Sequence, residues 1–389
     1  MILWLSGVSP VGVDSGLALY SSGLAGAVAS CGHSIAAIGL GRSGRIRDVD
    51  WTGVDSPMCS RLSTLRSPNP YIAARLDTEA HRRAIIEVLD RKPRFVVFDH
   101  LMSAWALDLV AERIHPDHTK LVHVSHNDEH LVRTRWARGI PVTSPKGIYL
   151  RFDARRASRL QRRLLDSVEL VSAITDVDSQ TMGRRHPRPS YIVLTPGADA
   201  PPAAGDPPPL AERPRSVVLL GSLDWEAKRQ NVIEVVESLD QQLAQAGIGL
   251  SVVGGGDDEF VASQQGRWKA TKFTGRVDDL DAELARHRIG LVAEPIGGGF
   301  KLKSLDYINR GLPMLVLDGS MSGTGLEPGR HYRSVSALKD MSKAIVESID
   351  DAETLETLAS AAAVDCAGRF DWSARGHQFS AALETLGVD

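Results

Sequence analysis

Short, uninterrupted apolar runs alternate along this chain with longer segments whose apolar residues recur at helical spacing. Residues 2–6 form the first run, closed by Gly7 and a loop through Ser9-Pro10-Val11-Gly12-Val13-Asp14-Ser15-Gly16. Residues 17–31 are small and apolar, as a buried helix requires, and Gly32-His33 leads into a second strand at 34–38. The alternation continues with a helix at 80–89, a strand at 95–98, a helix at 104–113 and a strand at 121–124. A long helix at 149–165 and strands at 170–174 and 191–194 follow. Apolar strands separated by helices predict a parallel sheet covered on both faces.

Proline then dominates. Pro201, Pro202, Pro207, Pro208 and Pro209 make an extended connector without helix or sheet. A second series begins beyond it, with strand 216–220 ending at Gly221, helix 232–246, and strand 250–253 stopped by Gly254-Gly255-Gly256. Helix 280–287, strand 290–293, helix 303–309 and strand 314–317 complete it, Gly311 and Pro313 marking a helix stop. Residues 352–386 are again helical in period. The expected fold is α/β: two Rossmann-like doubly wound domains, 1–195 and 216–370, joined by the Pro-rich linker 196–215. The segment 371–389 is a C-terminal helix able to return to the N-terminal domain. Open sheets of this kind bind ligands at the carboxyl ends of their strands, so a cleft faced by both domains is the expected site.

The 389 residues carry a formal net charge of −3 and are 43% hydrophobic and 24% charged, which excludes disordered, collagenous and coiled-coil chains. A nucleic-acid binder would carry a large basic excess, and none is present. Cys31, Cys59 and Cys366 are scattered and odd in number, so a reducing, cytoplasmic compartment is expected. The first 32 residues lack a basic leader and are broken by Ser6, Ser9, Pro10 and Asp14, and read as strand, loop and helix rather than a secretory signal. No apolar stretch reaches 18 residues, so no transmembrane helix is expected.

Candidate chemistry concentrates in Glu294-Pro295-Ile296-Gly297-Gly298-Gly299-Phe300-Lys301-Leu302-Lys303-Ser304-Leu305-Asp306. A strand end, a glycine run and a helix start let backbone N–H groups approach a phosphate, and the helix N-terminus adds about half a positive charge. Lys301 adds a full charge, and Asp306 can accept a bond from a ribose hydroxyl. The alternative is a tight strand–helix turn with solvated lysines. Gly39-Leu40-Gly41-Arg42-Ser43-Gly44 matches G-x-G-x-x-G but follows the second strand and opens no apolar helix, so dinucleotide binding is not expected there. His126 and His130 are four apart, but Asn127 stands where a zinc helix needs Glu, and no metal is expected.

Gly299-Phe300-Lys301-Leu302-Lys303-Ser304-Leu305-Asp306, continuing to Gly311-Leu312-Pro313, resembles the G-x-K-x-K-x-L-E…G-x-P signature of family-4-like glycosyltransferases of the GT-B fold, the glycosyl transferases group 1. Gly221-Ser222-Leu223-Asp224-Trp225, Phe273-Thr274-Gly275-Arg276-Val277-Asp278-Asp279-Leu280, Pro196-Gly197-Ala198-Asp199 and Ala173-Ile174-Thr175-Asp176-Val177-Asp178 are similar to further family segments and lie in the family's order. The resemblance spans residues 1 to about 330. It implies transfer of a sugar from a nucleotide diphosphate donor, the nucleotide sugar being substrate rather than cofactor, with retention of configuration and without a metal. Carried over, Lys301 and Lys228 meet the diphosphate, Asp306 binds ribose and Val277 sits by the base. Gly298, Gly299 and Phe300 offer backbone N–H groups, Ser304 belongs to the same donor motif, and Gly16 lies at the first helix N-terminus. The strand-end His126 contacts the donor sugar.

The departures are specific. The family's paired glutamates fall on Gly298 and Asp306, and its arginine after the first glycine of the C-terminal domain falls on Ser222, leaving Lys228 or Arg229 to supply that charge. An inverting enzyme would draw its general base from Asp128 or Glu129, although Asn127 or Asp128 equally suits a helix N-cap. Two alternatives to transfer stay open: a nucleotide-sugar epimerase of the same fold, and a catalytically silent homologue acting as a binding partner. Base, sugar and acceptor (glycan, lipid-linked intermediate, small metabolite or protein) are not encoded in any readable motif. The arginine-rich stretch from Arg151 to Arg163 offers either a peripheral membrane contact or a solvated face. With 5% aromatic residues and no belt of Trp or Phe, the solvated face is the stronger expectation.

Overall fold

A computed structural model of the chain describes residues 1–13, 15–55, 58–198, 207–223, 226–294 and 300–387. It divides into two compact units, one formed by residues 1–197 with 371–389, the other by 198–370.

The first unit is built on eight strands: β1 Ile2–Ser6, β2 Ile35–Leu40, β3 Gly44–Ile46, β4 Val49–Val54, β5 Phe95–Asp99, β6 Lys120–Ser125, β7 Leu170–Ala173 and β8 Ser190–Val193. Their order is β3-β4-β2-β1-β5-β6-β7-β8, parallel throughout except for β3 against β4. The strand order reverses between β1 and β5, where Ile2 pairs with Phe95 and Ser6 with Asp99. β1 is buried along its whole length, which explains its unbroken apolar sequence. The β3–β4 hairpin follows the G-x-G-x-x-G segment, where the sequence shows no helix. Its two-residue turn, Arg47-Asp48, takes positive φ at both positions (50° and 62°), and with neither residue a glycine it carries no turn signal.

The helix foreseen at 104–113 is a 3₁₀ segment, Leu101–Ala106, followed by a short α-helix, Leu107–Ala111. The arginine-rich helix starts earlier than its apolar period suggests, at Pro145, because Ser144 caps Gly147 N and proline suits the first turn; it runs Pro145–Ser167. The helical period after residue 352 resolves into two helices, Ala352–Cys366 and Trp372–Glu384. The second packs on the first helix of the chain, Gly16–Ser30. A side chain at Gly23 would collide with the Trp372 ring (2.2 Å) and one at Gly376 with the Ala27 carbonyl oxygen (2.4 Å), so glycine is what permits the close approach. Arg375 fixes the arrangement by donating to Thr195 O and Oγ1 at 2.9 and 2.7 Å.

The second unit has six parallel strands: β9 Ser216–Leu220, β10 Gly249–Val253, β11 Thr271–Gly275, β12 Ile289–Val292, β13 Met314–Leu317 and β14 Arg333–Val335. Their order β11-β10-β9-β12-β13-β14 reverses between β9 and β12. Val217, Leu219, Leu250, Val252, Ile289, Leu291 and Leu315 pack one face against Val235, Leu239 and Leu243 of helix Glu226–Gln245. The opposite face packs on helix Leu302–Asn309 through Leu305, Tyr307 and Ile308.

Candidate functional site

In each unit the crevice at the strand-order reversal gathers the residues with chemistry. In the second unit it opens beyond Leu220 of β9 and Val292 of β12, the position where such sheets bind ligands. Lys301 is the N-cap of helix Leu302–Asn309 and is buried. Its Nζ lies 2.8 Å from Glu294 Oε2, and Lys303 Nζ lies 2.9 Å from Glu294 Oε1, so one carboxylate draws two lysines together at a helix N-terminus. Burial pushes the Glu294 carboxyl up, but Lys303 and Lys301 outweigh it and hold it well below the usual carboxylate range.

Tyr307 anchors this helix. Its hydroxyl accepts the Leu220 backbone N–H at 2.9 Å and lies against the Val218 and Leu291 carbonyl oxygens at 3.3 and 3.4 Å, tying the helix to both strands of the reversal. Gly290 makes room for the ring, whose carbons would stand 2.8 Å from a Cβ there. The buried Ser304 hydroxyl donates to Lys301 O at 2.7 Å, closing the first turn. Asp306 is half-exposed and pairs with Arg310 Nη1 at 3.1 Å; burial raises its carboxyl above the ordinary value although Arg310 opposes the shift.

The other expected donor residues divide. Ser222 follows β9 and is half-buried, Lys228 lies in the first turns of helix Glu226–Gln245, and Val277 follows β11 at the edge of the apolar cluster. Phe300 stacks edge-on to Phe370 with centroids 5.5 Å apart. Arg229, one of the two candidates for the missing arginine, is held by the Asp257 carboxylate and lies over the Phe260 ring at 5.6 Å. Gly298 and Gly299 lie outside the described residues, as do Asp224, Trp225 and Asp199.

In the first unit Gly16 opens helix Gly16–Ser30, with Ser15 as N-cap accepting from Ala18 N. His126 follows β6 and is buried, its Nε2 2.6 Å from Asp99 Oδ1. Asp99, fully buried, also accepts Trp4 Nε1–H at 2.8 Å. Burial would raise the Asp99 carboxyl, yet its partners, His126 foremost, hold it below the ordinary value. An ionised carboxylate only accepts, so His126 donates its Nε2–H to Asp99. The Tyr20 and His100 rings flank the imidazole edge-on, at 4.9 and 5.3 Å.

Asp128 and Glu129, the candidate bases, are engaged otherwise. Asp128 caps helix Glu129–Arg138 at Leu131 N and pairs with Arg185. Glu129 pairs with Arg133 at 2.8 Å and with His100 Nε2 at 3.2 Å, and these partners hold it far below the carboxylate range against burial. Three contributors escaped the sequence reading. Asp99 stands one residue past the expected end of β5, Glu294 had no assigned role within its motif, and Tyr307 reads as ordinary core.

Residues 214–351 match the family model described as Glycosyl transferases group 1. No curated protein matches the chain. Among solved structures, sucrose-phosphate synthase from Thermosynechococcus elongatus is 15% identical over 99% of this chain and 98% of its own, with a TM-score of 0.73. Anabaena HepE in complex with UDP-glucose is 16% identical over 99% of both chains, TM-score 0.67. The α,α-trehalose 6-phosphate synthase from Burkholderia multivorans is 14% identical over 99% of this chain and 98% of its own, TM-score 0.65. The chain has the GT-B fold, and its C-terminal unit carries the match to glycosyl transferases group 1.

Proposed function

We propose that the protein is a glycosyltransferase that takes a sugar from a nucleotide diphosphate donor and passes it to an acceptor hydroxyl with retention of configuration and without a metal. The observation that carries this reading is the convergence of Lys301 and Lys303 on Glu294 at the N-terminus of helix Leu302–Asn309, at the strand-order reversal of the second unit. Breaking the sugar–phosphate bond builds charge on the leaving diphosphate, and a pre-placed lysine with helix N–H groups stabilises that charge. Lys228 adds a second cation, Asp306 takes the ribose, Val277 the base, and Ser222, Phe300 and Ser304 belong to the donor site; Gly298 and Gly299, outside the described residues, stay with it as members of the same sequence motif. His126 is the first unit's candidate for a hydroxyl of the transferred sugar, oriented by Asp99. The engagement of Asp128 and Glu129 in cap and ion pairs supports retention, in which the departing diphosphate itself receives the acceptor proton. UDP is the first diphosphate to try, because HepE is described in complex with UDP-glucose.

The test is calorimetric titration with UDP, GDP, TDP and ADP on the wild type and on Lys301→Ala. One diphosphate should bind, and the variant should lose about tenfold or more, the worth of a charge-assisted contact. Failure of all four to bind, or equal binding by the variant, overturns the assignment. With the donor named, nucleotide release that depends on an acceptor marks transfer, whereas a new sugar still bearing its nucleotide marks epimerisation.

A further inference from the structure

We infer that the helical hairpin of the first unit, Glu129–Arg138 and Pro145–Ser167, is a docking surface for an anionic lipid bilayer; this does not rest on the donor assignment. The hairpin, residues 129–167, holds nine arginines and one lysine against three acids, Glu129, Asp153 and Asp166. Glu129 and Asp153 are buried and bound to Arg133, leaving Asp166, at the helix end beside His186, as the exposed acid of the hairpin. Along the long helix Ile148, Phe152, Arg155, Arg159 and Arg162 stand four, three, four and three residues apart and are all exposed, hence on one face. The buried stripe of Leu150, Ala154, Ala157, Leu160 and Leu164 faces the protein.

The exposed face is apolar at one end and cationic along the rest. Val142, Ile148 and Phe152 are 61%, 59% and 46% exposed, although burial would stabilise each of them. They line an open groove of about 570 Å³ together with Tyr149 and Pro145. Leu65, 45% exposed, adjoins them, since Arg156 both donates to its carbonyl oxygen and stacks on the Phe152 ring at 4.1 Å. Exposed apolar side chains flanked by arginines suit neither bulk water nor a purely ionic ligand. They match the boundary between anionic headgroups and acyl chains, where the apolar residues insert and the guanidinium groups meet phosphates. The helix starts at Pro145, which adds Ile148 to the exposed face and brings Val142 beside it, apolar residues outside the Arg151–Arg163 stretch that the sequence marks.

The test is co-sedimentation of the full chain with vesicles of phosphatidylcholine alone and of phosphatidylcholine mixed with phosphatidylglycerol. Binding is expected to the anionic vesicles only. The triple variant Arg155→Gln/Arg159→Gln/Arg162→Gln should lose about 100-fold in partitioning, near fivefold per charge. Val142→Ser/Ile148→Ser should lose about tenfold, with circular dichroism and melting temperature unchanged in both. Wild-type protein left in the supernatant with anionic vesicles overturns the proposal without recourse to any variant. So does charge-dependent binding that survives Val142→Ser/Ile148→Ser and is displaced by soluble polyphosphate, which would mark a polyanion site.

Discussion

Glu294 Oε2 lies 2.8 Å from Lys301 Nζ, so the lysine proposed to meet the donor diphosphate is paired with a carboxylate of its own chain. A diphosphate arriving at the helix N-terminus competes with that carboxylate for Lys301 and Lys303. Glu294→Gln should therefore destabilise the protein, by about 3 kcal/mol, because it removes the carboxylate that Lys301 and Lys303 share at a largely buried position. The same variant should gain more in melting temperature from a saturating diphosphate than the wild type does, since the ligand replaces the missing anion. Scanning calorimetry with and without ligand checks both, and a smaller ligand-induced gain in the variant would show that Glu294 organises the site rather than standing in for the phosphate.

Asp306 divides its carboxylate between Arg310, at 3.1 Å, and the open side of the helix. If it receives a ribose hydroxyl, the wild type should prefer the ribonucleotide to its 2′-deoxy counterpart. Asp306→Ala should then abolish that preference while weakening the ribonucleotide by about tenfold, the worth of a hydrogen bond to a charged group. Titrating both nucleotides into both proteins gives a closed cycle. A preference that persists in Asp306→Ala assigns the ribose to another residue.

The strand and helix pattern was legible because parallel strands buried on both faces read as unbroken apolar runs; β9 and β13 occupy the residues the pattern marks, 216–220 and 314–317. The hairpin turn at Arg47-Asp48 was not legible, because its positive φ values are demanded by the two-residue connection between β3 and β4 and are not signalled by a glycine. At the candidate site, Lys301 and Asp306 stood out since their spacing from the glycine run follows from one helix. Asp99 and Tyr307 did not, because their value comes from partners 27 and 87 residues away in sequence, His126 and Leu220. In the arginine-rich helix the exposure of Ile148 and Phe152 was not legible either, because it depends on which face the core takes.

His123, in the middle of β6, is enclosed, and burial, the largest cause, depresses its imidazole to about 4 although its bond to Phe98 O opposes the shift. His81 is likewise lowered to about 4 by burial. In both, the unfolded chain takes up a proton near pH 6.5 while the folded chain resists it, so stability is complete above that pH and falls as pH drops toward 4. For His123 the loss is about 3 kcal/mol. His123→Asn, which keeps an N–H directed as Nδ1–H is, should flatten the fall in melting temperature between these pH values. An unchanged slope in the variant would place the acid sensitivity elsewhere.

Tyr307 reaches from helix Leu302–Asn309 to the strand-order reversal, and its hydroxyl is the acceptor for the Leu220 N–H at 2.9 Å. Tyr307→Phe preserves the ring that Gly290 accommodates and removes only that oxygen, leaving a buried backbone donor without its partner. The cost should be about 1–3 kcal/mol, read as a lower denaturant midpoint with an unchanged slope. Because the helix carries Lys301 and Asp306, loosening its anchor should also weaken diphosphate binding, though less than Lys301→Ala does, since no charge is lost. Gly290→Ala tests the same anchor from the strand side, as its methyl must displace the ring it would otherwise meet at 2.8 Å. Both variants should lower stability and affinity together. If Tyr307→Phe lost stability with full diphosphate affinity, the helix would hold its register without the hydroxyl, and the positioning role would pass to the apolar packing of Leu305 and Ile308.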